Sequence, residues 1–218
     1  MRRGSFVAAM TMWVLGLASS AAAAPILLNG SLTGPIANNG VPAGWTILLG
    51  SPDTNDINNN VGGPTPFAAL PIGPSPDGGT WVGIGVDSTS LFVESFGQTI
   101  GGFDVGSTYL LSWYAGNFGA LTGPNYTNTS AIEVLLDGSL IGSGALLPLG
   151  RLWFPESIMF VATSASHQLA FRLLNGPPAY LSIDGIQLTA AVPEPATLLL
   201  LGTGLAVVAA RRRMKRRA

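Results

Sequence analysis

Between residues 25 and 191, clusters of Gly, Pro, Asn and Ser cut the chain into short extended segments. None of these segments repeats at the helical period of about 3.6 residues. With 29 glycines and 16 prolines in 218 residues, a long amphipathic helix has no uninterrupted room in this stretch. The sequence predicts strands near 26–31, 45–49, 80–86, 91–100, 108–115, 131–136, 140–142, 157–162, 168–174 and 180–189. Tyr109-Leu110-Leu111-Ser112-Trp113-Tyr114 and Leu169-Ala170-Phe171-Arg172-Leu173 have the alternating, aromatic-rich character of half-buried strands. Asp137-Gly138 between two apolar runs predicts a tight hairpin, because such a turn needs positive φ. Many short strands in one unit predict an all-β fold, a single β-sandwich of jelly-roll type. The Pro-, Gly- and Asn-rich stretches 50–79 and 116–130 read as surface loops, where binding tends to sit.

The two ends have a different character. Arg2 and Arg3 precede an apolar stretch at 6–17, then Ser19-Ser20-Ala21-Ala22-Ala23-Ala24 supplies small-residue cleavage sites. This order is that of a secretory signal peptide, and a buried N-terminal helix is the alternative. The arginine pair lacks the flanking residues of a twin-arginine signal, so ordinary export is expected. At the other end, Val192-Pro193-Glu194-Pro195 leads into an apolar run at 196–210 and then six positive residues, from Arg211 to Arg217. Those 15 apolar residues would make a helix of about 22 Å at roughly 1.5 Å per residue. A bilayer core is about 30 Å thick, so the segment suits retention better than a lasting span. The basic cluster would hold that end in the cytoplasm.

Motif, short apolar segment and basic cluster in this order resemble the PEP-CTERM sorting signal of Gram-negative bacteria that make extracellular polysaccharide. The resemblance implies recognition by an exosortase, a membrane transpeptidase, with cleavage near Pro193–Pro195. The inner membrane would anchor the chain before processing, and the cell surface or extracellular matrix would receive it afterwards. Three parts are therefore expected: 1–24 signal peptide, 25–191 β-sandwich, and 192–218 sorting signal with a short transmembrane helix.

Eight of the ten basic residues lie in the two ends. The body keeps Arg151 and Arg172 against ten acids, a formal charge of −8. A surface this acidic has no footprint for nucleic acid, which needs clustered Lys and Arg. No cysteine occurs, which excludes disulfides, thiol catalysis and lipid attachment through an N-terminal cysteine.

A second likeness runs through the body. Leu28-Asn29-Gly30-Ser31, Pro42-Ala43-Gly44-Trp45, Phe96-Gly97-Gln98-Thr99-Ile100, Glu133-Val134-Leu135-Leu136-Asp137-Gly138 and Leu181-Ser182-Ile183-Asp184-Gly185-Ile186 follow a familiar order. It resembles the galactose-binding-like jelly roll of bacterial carbohydrate-binding modules. Such modules commonly continue the opening motif with Phe-Glu, whose acid helps hold a structural calcium. This chain has Leu32-Thr33 there.

Catalytic chemistry is thinly represented. A glycosidase needs two carboxylates across a sugar, and no acid here stands in a recognisable motif. His167, the only histidine, has no evident nucleophile or orienting acid and reads as an exposed turn residue. No enzyme activity is expected. Calcium is a candidate cofactor: Asp53, Asn55, Asp56 and Asn58 offer hard oxygens within a few residues, with Asp184 a further candidate ligand. The spacing is not that of an EF-hand, and a polar loop bonding its own backbone explains the same residues. Aromatic rings are the usual platforms for sugars. Trp113 falls inside a strand and reads as core; Trp45 and Trp81 open strands; Phe118 and Tyr126 fall in a predicted loop. Asn29, Asn125 and Asn128 fit the N-glycosylation pattern. The expectation is an exported surface protein that associates with extracellular polysaccharide. A purely structural or adhesive protein and a cryptic glycan hydrolase are the alternatives.

Overall fold

The computed structural model describes residues 25–58, 74–87, 92–120, 125–191 and 204. The expected signal peptide, the motif Val192-Pro193-Glu194-Pro195 and the short transmembrane helix, apart from residue 204, lie outside these residues. The chain forms β1 (Thr46–Leu49), β2 (Asp53–Asn55), β3 (Trp81–Asp87), β4 (Phe92–Val93), β5 (Ser95–Gly101), β6 (Thr108–Gly116), β7 (Ile132–Leu136), β8 (Ser139–Ser143), β9 (Phe154–Val161), β10 (Ser166–Leu173) and β11 (Ala179–Ala190). One antiparallel sheet has the order β1-β5-β10-β7-β8, the other β2-β3-β11-β6-β9, with β4 pairing β3. Among the described residues no helix is long and apolar enough to cross a membrane.

The sheets face each other because alternate residues of nearly every strand are apolar. Val82, Ile84, Tyr109, Leu111, Trp113, Leu181 and Ile183 are buried from one side. Phe96, Ile132, Val134, Leu169 and Phe171 are buried from the other. The Trp113 ring crosses the interface to lie 5.8 Å from Phe171. Each such side chain removed from water stabilises the fold by about 1.5–3 kcal/mol. The β7–β8 hairpin turns at Asp137 (φ 51°) and Gly138 (φ 78°), the two successive positive φ values that a tight turn of this hand requires.

Three expectations need correction. Residues 26–31 form no strand: Leu28 instead pairs its N–H and C=O with the side-chain amide of Gln98, each at 2.9 Å. The run at 91–100 is two strands, and Glu94 marks the point where the chain leaves one sheet for the other. His167 is only 1% exposed. Its Nε2 accepts the N–H groups of Thr163 (3.2 Å) and Ser164 (3.1 Å), which leaves the ring proton on Nδ1, 2.5 Å from Asp137 Oδ2. Asp137 also accepts the Gln168 N–H at 2.8 Å. These bonds hold its carboxyl below the usual range and tie the hairpin turn to the start of β10.

Candidate functional site

On the β2-β3-β11-β6-β9 sheet, the residues that do not enter the core face outward in ordered rows. Asp53 lies opposite Gly83, Gly83 opposite Ser182, and Ser182 opposite Gly116. The next row holds Asn55 opposite Trp81, and Asp184 opposite Tyr114. Tyr180 sits opposite Gly85. The glycines leave a trough, and the chain fills it with its own rings. A Cβ on Gly83 would strike the Tyr180 ring and hydroxyl, and one on Gly116 would come within 2.5 Å of the Phe118 ring. Glycine is needed here for close approach of ring to backbone.

Tyr180 anchors the polar part of this face. Its hydroxyl donates to Asp53 Oδ2 at 3.1 Å and accepts from Asn55 Nδ2 at 3.0 Å. Asp53 Oδ1 accepts the Asn39 N–H at 2.9 Å. Burial pushes the Asp53 carboxyl above its ordinary value, against those two bonds. Glu94 is raised for the same reason, although Gly85 N–H (2.6 Å) and the Ser51 hydroxyl (2.8 Å) both donate to it. Asp184 has 0% exposure. The Ser75 hydroxyl donates to its Oδ2, while Oδ1 is buried without a partner among the described residues. Burial, with a smaller contribution from the charge of Asp77, pushes its carboxyl up to about 7.

Around this floor stand rings that solvent can reach. Trp81 is buried but meets Trp153 edge-on at 5.5 Å, and Phe118 meets Trp153 at 5.0 Å. Trp153, Tyr114 and Tyr126 are half-exposed. Tyr126 is positioned by reciprocal backbone bonds to Ala120 (3.2 and 2.8 Å) and packs against Tyr180. The resulting surface has partly open aromatic faces around carboxyls, amides and hydroxyls. Sugars use this combination: C–H faces against rings, hydroxyls against polar atoms.

The candidate residues from the sequence separate clearly here. Trp81, Phe118, Tyr126, Asp53, Asn55 and Asp184 all belong to this face. Trp45 does not: it is core, 5.2 Å from Phe96, with its Nε1 donating to Asn29 O at 2.9 Å. Asp56 accepts the N–H of Asn58 at 2.7 Å in a local turn. The expected solvated loop at 53–55 is strand β2. Among the described residues no three His, Asp or Glu side chains gather as a metal site would need. Sequence reasoning missed three of the rings, Tyr114 and Tyr180, which lie inside predicted strands, and Trp153. The signal for Trp153 was the one that singled out Phe118 and Tyr126, an aromatic outside the predicted strands.

The opposite sheet has a different outer face. A groove of about 400 Å³ runs over Ala170 between Leu48 and Leu135, with Gln168, Arg172 and Asn175 along it and no aromatic in its lining. Arg172 Nε donates to Glu133 Oε2 at 2.6 Å.

Comparison with known proteins adds an address and a likeness of fold. Residues 191–213 match the PEP-CTERM protein-sorting motif, so the chain carries that sorting signal. No curated protein sequence matches the chain. Among solved structures, the CBM22-1 xylan-binding domain of Paenibacillus barcinonensis Xyn10C is 12% identical, with 80% of this chain and 99% of that domain covered at a TM-score of 0.49. An arabinose-bound MgGH51 α-L-arabinofuranosidase is 16% identical over 79% of this chain and 27% of that one, at 0.49. The enzymatically active domain of bacteriophage CBA120 tailspike protein 4 is 15% identical over 68% of this chain, at 0.44. This chain spans 20% of that tailspike chain. Such likeness concerns the course of the chain and not its ligand.

Proposed function

We propose that this chain is an exported cell-surface or matrix protein, processed by an exosortase, whose β-sandwich associates with polysaccharide through the outer face of β2-β3-β11-β6-β9. The address rests on the sorting motif at 191–213. The ligand class rests on one observation: half-exposed Trp153, Tyr114 and Tyr126 border a floor of buried carboxyl, amide and hydroxyl groups. With only Arg151 and Arg172 as cations in the body, a neutral glycan suits the surface better than a polyanion. A signal peptide at 1–24, a sandwich at 25–191 and a sorting signal at 192–218 complete the reading.

The hydrolase alternative has one observation in its favour, the Asp184 carboxyl raised to about 7, the protonation behaviour of a general acid. That carboxyl is enclosed, however, and a general acid must reach the glycosidic oxygen. Non-catalytic association is therefore the stronger reading. Two experiments test it. Cell fractionation of wild type and Glu194→Ala should show processing of the former only, and only in a host with its exosortase. Identical processing in all strains would remove the address. A glycan array probed with the processed protein should show binding to neutral polysaccharide. An array blank throughout would favour the purely structural or adhesive alternative.

A further inference from the structure

The chain leaves the sandwich at a fixed place. Ala191 N–H donates to Thr108 O at 2.9 Å, so the backbone is held up to the residue before Val192-Pro193-Glu194-Pro195. Only four residues, Val192 to Pro195, separate it from the apolar run that begins at Ala196. Fully extended, those five steps span at most about 18 Å, at roughly 3.3–3.6 Å each. The headgroup layer on one side of a bilayer takes up about 5–7 Å of that reach. The pole of the sandwich next to Thr108 is therefore confined close to the membrane for as long as the tail is uncleaved. The N-terminal segment enters at the same pole, where Ile26 N–H donates to Gly101 O at 3.2 Å.

The outer face near that pole carries exposed apolar side chains, beside the exposed Thr163 and Ser164 and the half-buried Asp104 of its turns. Along β6 and β9, Thr108 lies opposite Val161 and Leu110 opposite Met159. On the other flank of β6, Thr189 of β11 lies opposite Leu110. At about 4.8 Å between strands, Met159 and Val161 are only about 10 Å from the departing chain. Val105 precedes Gly106, whose N–H donates to Ala162 O at 2.8 Å, so the turn before β6 lies beside the end of β9. Val105 is 65% exposed, Met159 69% and Val161 53%, and Leu110 shares their side of the sheet. None of the body's two arginines belongs to this cluster, so electrostatic attraction to anionic lipid has no part in the contact.

We propose that, in the membrane-anchored form, this pole rests on the lipid surface through Val105, Leu110, Met159 and Val161. The inference relies on the reading of 196–210 as a membrane segment. Held at high local concentration by the tail, a small apolar patch suffices for a contact it could not sustain in free solution. Tyr114, on the same outer face, lies four residues further along β6 than Leu110, about 13 Å at roughly 3.3 Å per residue, so the aromatic site is set back from the contact along the strand.

The full-length protein contains no cysteine, so single probes can be placed cleanly. Met159→Cys and, as a control at the far end of β10, Asn175→Cys would each carry an environment-sensitive fluorophore. Each protein is reconstituted into vesicles of phosphatidylethanolamine and phosphatidylglycerol containing lipids with a nitroxide near the headgroup. The probe at 159 should be quenched at least about threefold more strongly than the probe at 175. In a Val105→Cys protein, adding Met159→Ser and Val161→Ser should remove more than about half of the quenching. Equal quenching at 159 and 175, or quenching at 105 that survives the serine substitutions, would overturn the proposal. A probe at 159 shielded from aqueous iodide but untouched by the nitroxide would also overturn it, in favour of a protein cover. Co-flotation with vesicles separates the two readings. Protein that floats without quenching sinks the contact alone, whereas protein that fails to float sinks the anchor and the contact together.

Discussion

The outer faces of the two sheets share one architecture and have opposite surfaces. On the β2-β3-β11-β6-β9 sheet, Gly83, Gly85 and Gly116 let Tyr180 and Phe118 lie against the backbone, and buried acids crowd beneath half-open rings. On the β1-β5-β10-β7-β8 sheet, an open groove of about 400 Å³ is lined by aliphatic side chains with Ser95, Gln168, Asn175 and one paired arginine, and by no ring. Folding energy alone would favour the second arrangement, since burying carboxyls raises the free energy of their charged forms. The first face therefore holds a concentration of costly groups, and such groups tend to mark functional sites.

The sharpest contrast is steric. Gly83→Ala should destabilise the protein by about 3 kcal/mol, because the Tyr180 ring has to leave the backbone it rests on. In a domain of this size that lowers Tm by roughly 6–12 °C. Gln168→Ala on the open groove should change stability by less than about 0.5 kcal/mol. Comparable effects in thermal melts would erase the distinction between the faces.

The polar network comes next. Tyr180→Phe removes the hydroxyl shared by Asp53 and Asn55 and leaves a buried carboxylate oxygen without its donor. The expected cost is about 1–3 kcal/mol. Adding Asp53→Asn should be less than additive, since both changes break one interaction. Strict additivity in denaturant titrations would mean that the bond contributes nothing.

A smaller effect concerns pH. Asp184 is raised from 3.8 to about 7, so the folded state holds its proton over a range in which the unfolded chain has lost it. Stability from this group is complete below about pH 4 and is lost as pH rises through about 7. Asp53 and Glu94, also raised, contribute with the same sign. Tm should fall between pH 4 and pH 8, and Asp184→Asn should flatten that slope, raising Tm at pH 8 relative to wild type. A variant that melts in parallel with wild type across the range would contradict the assignment.

The smallest expected effect is none. Asp53 uses both oxygens on Asn39 and Tyr180, and Asp56 accepts from Asn58. Melts in chelator and in calcium should therefore coincide. A rise of several degrees in calcium would show a site that these contacts do not reveal.

Strands with strong alternation were legible from sequence because their own residues dictate burial. β6 and β10 are examples, as is the hairpin at Asp137-Gly138, whose turn chemistry is local. β2 was not legible: Asp53-Thr54-Asn55 has poor strand propensity, and Tyr180, more than 100 residues away, holds it in place. The break at Glu94 was hidden for a related reason, because only the partner strands reveal that Phe92–Val93 and Ser95–Gly101 belong to different sheets. His167 looked like a turn residue in a run of serines, and Asp137, 30 positions earlier, draws it inside. For the site, residue type pointed to six of the side chains that this face assembles. It could not exclude Trp45, which packs on Phe96 and Phe171 of the sheet opposite the aromatic face, nor place Trp153 over Trp81.

The central claim is that polysaccharide is held on the aromatic face and not in the groove opposite. Affinity electrophoresis in gels containing a neutral polysaccharide that the protein binds tests it most directly, with wild type, Trp153→Ala and Gln168→Ala run side by side. Trp153→Ala should lose at least about tenfold in affinity, roughly 1.4 kcal/mol, while Gln168→Ala migrates with wild type. Retardation abolished by Gln168→Ala and untouched by Trp153→Ala would contradict the account and move the ligand to the groove.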